Sequence, residues 1–396
     1  MNPDDFPTPD VDVPSTAASE LRQSITDGDS VAVLDTRNDS DFQEWHVDGP
    51  NVEIENVPYY EFLGEEVDEA LLDRVPVGDP LVVLCAKGGA SEYVAGELIE
   101  AGRDVVHLDG GMEAWARIYE RIKIEDYDGP GAVYQYHRPS SGCLGYLVVS
   151  DGEAAVIDPL RSFTDRYVDD AAALDAELVY ALDTHVHADH VSGVRDLNET
   201  SVGVIPAEAV PRGVTYDEEV STAADGDTFS IGNVEIETVH TPGHTSGMTS
   251  YLVGDSLLAT GDGLFIESVA RPDLEEGDEG APDAARQLYE TLQERILSLD
   301  DDVLIGGAHV SDAAEPAADG SYTAPLGQLV EEMDALTYEK GEFVETVLAD
   351  MPPRPANYED IIATNLGKQT VDDQEAFRLE LGPNNCAASQ ESMAGD

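Results

Sequence analysis

Between Val31 and Arg121, short apolar runs alternate with segments of helical period. VAVLDT (31–36) and LVVLCA (81–86) are β-branched and lack polar alternation, the pattern of strands buried on both faces of a parallel sheet. EYVAGELIEAG (92–102) sets Val94, Leu98 and Ile99 on one helical face and stops at Gly102. DVVHLDGG (104–111) predicts a further strand and turn, and MEAWARIYERI (112–122) a helix. Alternation on this scale implies a doubly wound parallel α/β sheet. KIEDYDGPGA (123–132) carries charge, Gly and Pro without a period and reads as a linker. Beyond it, CLGYLVV, AAVIDP, LVYALDT, VEIETVHTPG and SYLVGDSLLATGD predict strands, and residues 225–233 have the turn chemistry of an antiparallel region. QLVEEMDALTYEK and EFVETVLADM predict helices, ended by MPPRP. The organisation expected is a loose arm (1–19), a parallel domain (20–122), the linker, and a second α/β unit (133–396). That unit divides into a core (133–315) and a helical C-terminal part (316–396).

The charge balance narrows the function classes. Acidic residues number 83 and basic ones 20, a formal net charge of −63. Such a surface repels itself unless salt screens it, and the Debye length falls to about 3 Å at 1 M. A halophilic, cytoplasmic protein is expected. With no basic patch to meet phosphates, neither nucleic acid nor an anionic membrane is an expected partner. MNPDDFPTPDVDVP has neither a positive n-region nor an apolar h-region, so neither a secretory nor a membrane sequence is expected. Three cysteines cannot form a disulfide framework.

Cys85 ends a predicted buried strand, and AKGGA follows it before a helix expected to start at Ser91 or Glu92. Such loops open into the crevice where parallel sheets bind ligands. Backbone amides of Ala86, Lys87, Gly88, Gly89 and Ala90, with the helix dipole, would favour a thiolate. LDTRNDSDFQEWHVDG, LCAKGGAS and LDGGMEAW resemble the successive motifs of the rhodanese family across residues 20–122. The resemblance implies a sulfurtransferase whose Cys85 carries a persulfide cradled by residues 86–90, with Lys87 helping to hold an anionic sulfane-sulfur donor. Ala86 and Ala90 stand where many relatives have an arginine, which motivates the alternative of a non-catalytic rhodanese-like module.

THVHADHVSG (184–193) gathers His185, His187, Asp189 and His190, and neutral imidazoles with a carboxylate are the usual ligands of zinc or iron. Asp189 and His190 are expected at the start of a helix. His244, Asp262 and His309 follow downstream, each at a predicted strand end. Together these residues resemble the metallo-β-lactamase superfamily, from about 133 to the end, which implies an αββα sandwich with a helical C-terminal extension. A dinuclear Zn(2+) site would use His185, His187 and His244 on one ion and Asp189, His190 and His309 on the other, bridged by Asp262. It would hydrolyse thioesters, like glyoxalase II. LLATGDGLFIESVARPDL and MPPRPANYEDIIATNLG instead resemble persulfide dioxygenases. That resemblance implies one Fe(2+) per chain at His185, His244 and Asp262, with His187, Asp189, His190 and His309 orienting the ligands and ordering water. It also implies a low-molecular-weight thiol persulfide and O2 as substrates, sulfite as product, Arg271 as a substrate-binding residue, and a homodimer. Cys143, at a strand start, reads as packing, and Cys386 has no role legible in the sequence.

Overall fold

The computed structural model describes residues 6–64, 67–216, 218–311, 314–349, 351–382 and 386–388. It divides into two units, one of Met1–Tyr119 with Arg138–Ser140, the other of Glu120–His137 with Ser141–Asp396.

In the first unit the expected parallel sheet forms from β1 (Ser15–Thr16), β2 (Val31–Asp35), β3 (Val52–Asn56), β4 (Leu81–Leu84) and β5 (Val105–Leu108), in the order β1-β5-β4-β2-β3. Every residue of β2 and β4 is buried, as their unbroken apolar runs require. Two clusters fill the faces, one around Val33, Leu84, Leu108 and Trp115, the other around Leu34, Val83, Val94 and Leu98. Two expectations are corrected. The arm read as loose is tied down from its end: Ser15 and Thr16 pair with His107 and Leu108, and the helix Ala18–Thr26 follows at once. The helix read over 112–122 stops at Trp115, and Glu120–Lys123 becomes a strand. Pairing with a partner strand outweighs the local helical period there.

That strand, β6, opens the second unit. It runs antiparallel to β7 (Ala132–Arg138), so the segment read as a linker is the turn between two paired strands. A seven-stranded sheet adds β8 (Cys143–Ser150), β9 (Glu153–Ile157), β10 (Glu177–Leu182), β11 (Val202–Pro206) and β12 (Ser221–Ala223). A six-stranded sheet holds β13 (Thr228–Ile231), β14 (Val234–His240), β15 (Thr249–Val253), β16 (Leu257–Gly261), β17 (Leu304–Gly307) and β18 (Ala324–Pro325). Tyr146, Ile157 and Leu182 from the first sheet share one core with Ile236, Tyr251 and Ala259 from the second, which makes the sandwich. On the outer face of the six-stranded sheet, Leu258 and Ile305 pack with Leu288, Leu292, Phe343 and Val347 of the covering helices. Ile361, Ala376 and Leu379 of the last two helices, Tyr358–Asn365 and Asp373–Leu379, pack against Val191 in the His-rich loop. No helix among the described residues is long and apolar enough to cross a membrane.

Phe343 is buried in the layer that joins the C-terminal helices to the sheet. Phe343→Ala should cost about 3–5 kcal/mol, read as a lower urea midpoint at constant salt.

Candidate metal centre and candidate thiol site

The sandwich delivers its chemistry at strand ends. Asp158 follows β9, residues 183–190 follow β10, Asp262 follows β16 and His309 follows β17, while His244 sits in the loop from β14 to β15. Asp189 and His190 lie in an irregular loop rather than at a helix start; the next helix is Val194–Leu197. All seven residues singled out in this unit are buried, and the structure brings them together.

The hydrogen-bond pattern assigns the imidazole tautomers. Thr184 donates its amide and hydroxyl to Asp158, at 2.7 and 2.9 Å. With its proton spent, Thr184 Oγ1 accepts from His185 Nδ1 at 2.9 Å. His244 Nδ1 donates to the carbonyl of Arg271 at 2.9 Å. Each ring therefore carries its proton on Nδ1 and turns a bare Nε2 lone pair inward. His185 Nε2 lies 3.4 Å and His244 Nε2 3.5 Å from Asp262 Oδ2. None of these three buried atoms has a hydrogen-bond partner. Burial pushes the pKa of His185 down to about 4 and lowers that of His244, so both rings are neutral near pH 7. Three converging lone pairs without a hydrogen among them are the donor set of a cation, and two imidazoles with a carboxylate fit iron(II) or zinc.

The remaining residues are linked by hydrogen bonds. His309 donates Nδ1 to Asp262 Oδ1 at 2.6 Å and Nε2 to Asp189 Oδ2 at 2.9 Å. A ring that donates from both nitrogens is an imidazolium. Burial opposes that charge, but the two carboxylates raise its pKa well above the ordinary value. His187 Nε2 is held by Asp158 at 3.1 Å. Asn365, from a C-terminal helix, donates to the carbonyls of His187 and His190 and accepts from the Ser192 amide.

Arg271 departs from its expected role. Its guanidinium is buried in a two-point pair with Asp273 and bonds to the carbonyls of Pro352 and Pro353. Arg271 positions His244 through its carbonyl and offers no guanidinium to a substrate. Two cysteines that the sequence did not bring to this centre are found there. Cys143 Sγ lies 3.4 Å from Asp189 Oδ2, and Cys386 groups with Asp189, Asp262 and His309. Their separation in the chain from the His-rich stretch gave no signal of this.

In the first unit, Cys85 is buried just past β4, and its sulfur accepts from the Gly88 amide at 3.1 Å. The helix begins at Gly89, so Gly89 and Ala90 form its first turn and the loop proper is 86–88. Gly88 (φ +97°) is the turn, and at Gly111 a Cβ would stand 2.2 Å from the Cys85 carbonyl oxygen. Lys87 pairs with Glu113 at 2.7 Å.

Comparison with known proteins follows these lines. The rhodanese-like domain family matches residues 17–118, and the metallo-beta-lactamase superfamily matches 140–309. The persulfide dioxygenase ETHE1, mitochondrial, of Homo sapiens is 32% identical over 203 residues, covering 50% of this chain and 76% of that protein. A hydroxyacylglutathione hydrolase of Acidiphilium cryptum (strain JF-5) is 28% identical, covering 59% of this chain and 88% of that one. The crystal structure of ETHE1 from Myxococcus xanthus superposes with a TM-score of 0.51 at 25% identity, over 59% of this chain and 98% of that one.

Thr184→Val removes the acceptor that fixes His185 and leaves Asp158 short of a donor. Affinity for a metal ion at the His185–His244–Asp262 triad should fall about 10–100-fold, measured by competition with a chromophoric chelator.

Proposed function

Since the chain belongs to the persulfide dioxygenase family of the metallo-β-lactamase superfamily, with a rhodanese-like domain preceding that unit in sequence, we propose that it oxidises a low-molecular-weight thiol persulfide to sulfite. One persulfide, one O2 and one water would give one thiol, one sulfite and two protons. One Fe(2+) per chain would be held by His185, His244 and Asp262. Bound there, ferrous iron supplies redox chemistry and open positions for the terminal sulfur and O2.

The observation that carries this reading is the asymmetry of the seven residues. Among the described residues, His185 Nε2, His244 Nε2 and Asp262 Oδ2 converge as partnerless atoms of three different residues, the two nitrogens 3.4 and 3.5 Å from the oxygen. Asp189, His190 and His309 are joined by hydrogen bonds instead, which favours one catalytic ion over the bridged pair of a zinc thioester hydrolase. The protein groups have separable tasks. Thr184 and the Arg271 carbonyl hold the two rings in the ligating tautomer, and His309 occupies Asp262 Oδ1 so that Oδ2 faces the ion. His187 and Asp189 brace the loop through Asp158 and His309.

Cys85 would exchange sulfane sulfur between a donor and the thiol carrier, its terminal sulfur lying among the amides of residues 86–88. Covalent joining of a persulfide carrier to a persulfide oxidase raises the local concentration of one unit's product at the other's site. Because Lys87 is already paired with Glu113, a singly charged persulfide suits this loop better than a dianionic donor.

Metal content and O2 uptake on one anaerobic preparation in multimolar salt, with a synthetic thiol persulfide, test the reading. One iron per chain with persulfide-dependent O2 uptake is expected. Two zincs with thioester hydrolysis and no O2 uptake would overturn it. His244→Ala should abolish O2 uptake yet leave Cys85 able to take up sulfur. Cys85→Ser should abolish sulfur transfer and leave oxidation of added persulfide intact.

A further inference from the structure

Arg271 spends its guanidinium on Asp273 and two carbonyls, but a second arginine beside the centre does not. Arg212 ends a short 3-10 helix, Ala207–Arg212, that follows β11. That segment packs directly on the loop carrying His244: a Cβ at Gly247 would stand 2.8 Å from the Ala209 nitrogen. The Arg212 side chain is 9% exposed. Its one ion-pair contact among the described residues is Nε to Glu275 Oε1, at 3.3 Å. Glu275 is already engaged by Ser246, which donates its hydroxyl to Oε1 at 2.7 Å and its amide to Oε2 at 2.5 Å. Ser246 lies two residues after His244, and the Arg212 charge is felt at that ring. Arg212 Nη1 is buried with no hydrogen-bond partner. Burial lowers the Arg212 pKa, and Glu275 offsets only part of that effect.

A second base stands next to it. Lys368 is exposed, and its Nζ donates to the Arg212 carbonyl at 3.3 Å. The other three lysines, Lys87, Lys123 and Lys340, are each paired with a glutamate. Lys368 has no carboxylate partner among the described residues. In a chain with 83 acidic residues and 20 basic ones, two neighbouring bases left short of acids mark a place kept for an acid from outside.

We propose that Arg212 is a specificity-determining residue for the thiol substrate, holding a carboxylate of the carrier while the sulfur lies at the triad. A guanidinium fork matches a carboxylate in geometry as well as in charge. A carboxylate there supplies the acceptor that Nη1 lacks and the charge that Glu275 shares with Ser246. An unpartnered buried charge is costly, so binding relieves a cost already built into the fold. The field of the whole molecule works against such a ligand, because an excess of 63 negative charges repels anions. A preference for an acidic thiol over its neutral amide therefore reports a local cation. This inference rests on the persulfide reading and adds to it the charge of the carrier.

The test is anaerobic titration calorimetry of the metal-loaded full chain at constant high salt. The probes are ω-mercaptocarboxylic acids of increasing chain length and their primary amides, as plain thiols. Binding is read without turnover, so the result stands apart from whether the centre oxidises persulfides or hydrolyses thioesters. At one chain length the acid should bind at least about tenfold more tightly than its amide. Arg212→Gln should abolish that preference by weakening the acid and leaving the amide unchanged, which separates the guanidinium from the metal ion as its source. No preference at any length, or one that survives Arg212→Gln, would overturn the proposal. So would equal weakening of acid and amide, the mark of a residue that only positions the His244 loop. Should Arg212→Gln fail to fold, competition on the unsubstituted protein decides. Added propionate should weaken binding of the acid and spare the amide, and equal effects on both overturn the assignment.

Discussion

Three lone pairs turned toward one another, with no hydrogen to place among them, govern how the second unit is built. His185 Nε2, His244 Nε2 and Asp262 Oδ2 lie in full burial, where each unsatisfied polar atom costs about 1–3 kcal/mol. A folded domain has only about 5–15 kcal/mol of net stability, so this arrangement survives because the surrounding network prevents relief. Neither imidazole can rotate to find water or a donor while its Nδ1 proton is engaged, one by Thr184 and one by a main-chain carbonyl. An ion converts the same geometry from a cost into three bonds. Metal binding and folding are thereby linked.

The network that enforces this convergence is drawn from strand ends and from the C-terminal helices. Asp158 has φ +53°, a left-handed conformation uncommon outside glycine. Its carboxylate accepts from both Thr184 groups and from His187, which holds that conformation in place. Asn365 makes three bonds to the His-rich loop, and Glu380 accepts from the Val191 amide. The helical C-terminal region thus belongs to the metal site although it supplies none of the triad. Elements far apart in sequence were brought together for positioning as much as for packing.

This division explains what the sequence could and could not disclose. Buried parallel strands announced themselves through unbroken β-branched runs, and the His-rich stretch through crowding of one residue type. Signals that depend on long-range partners were silent. Ser15–Thr16 is a strand only because β5 offers an edge, and Glu120–Lys123 looks helical until β7 pairs with it. Arg271 sits in a motif, yet only the fold shows that Asp273 and two proline carbonyls consume its guanidinium. Cys143 and Cys386 lie far from Asp189 in the chain, and only the fold brings them near it, Cys143 from β8 of the same seven-stranded sheet and Cys386 from the C-terminal segment.

Scarcity of cations runs through the whole molecule and bears on the chemistry. With 83 acidic residues and 20 basic ones, two of the buried arginines hold carboxylates, Arg37 for Asp35 and Arg271 for Asp273. His309 serves Asp189 and Asp262 in the same way without drawing on a lysine or arginine. That neutralisation matters for a persulfide anion. A divalent ion with Asp262 as its one charged ligand keeps a net positive charge, and His309 offsets the second carboxylate beside it. On the proposed reading, an ion held there would attract an anionic sulfur although the protein around it carries an excess of 63 negative charges. Salt strengthens the contrast. It screens the exposed acids within a few ångströms but reaches the buried charges far less, so the field at the centre is set mainly by its own buried groups, Asp158, Asp189, Asp262, His187, His190 and His309 among them.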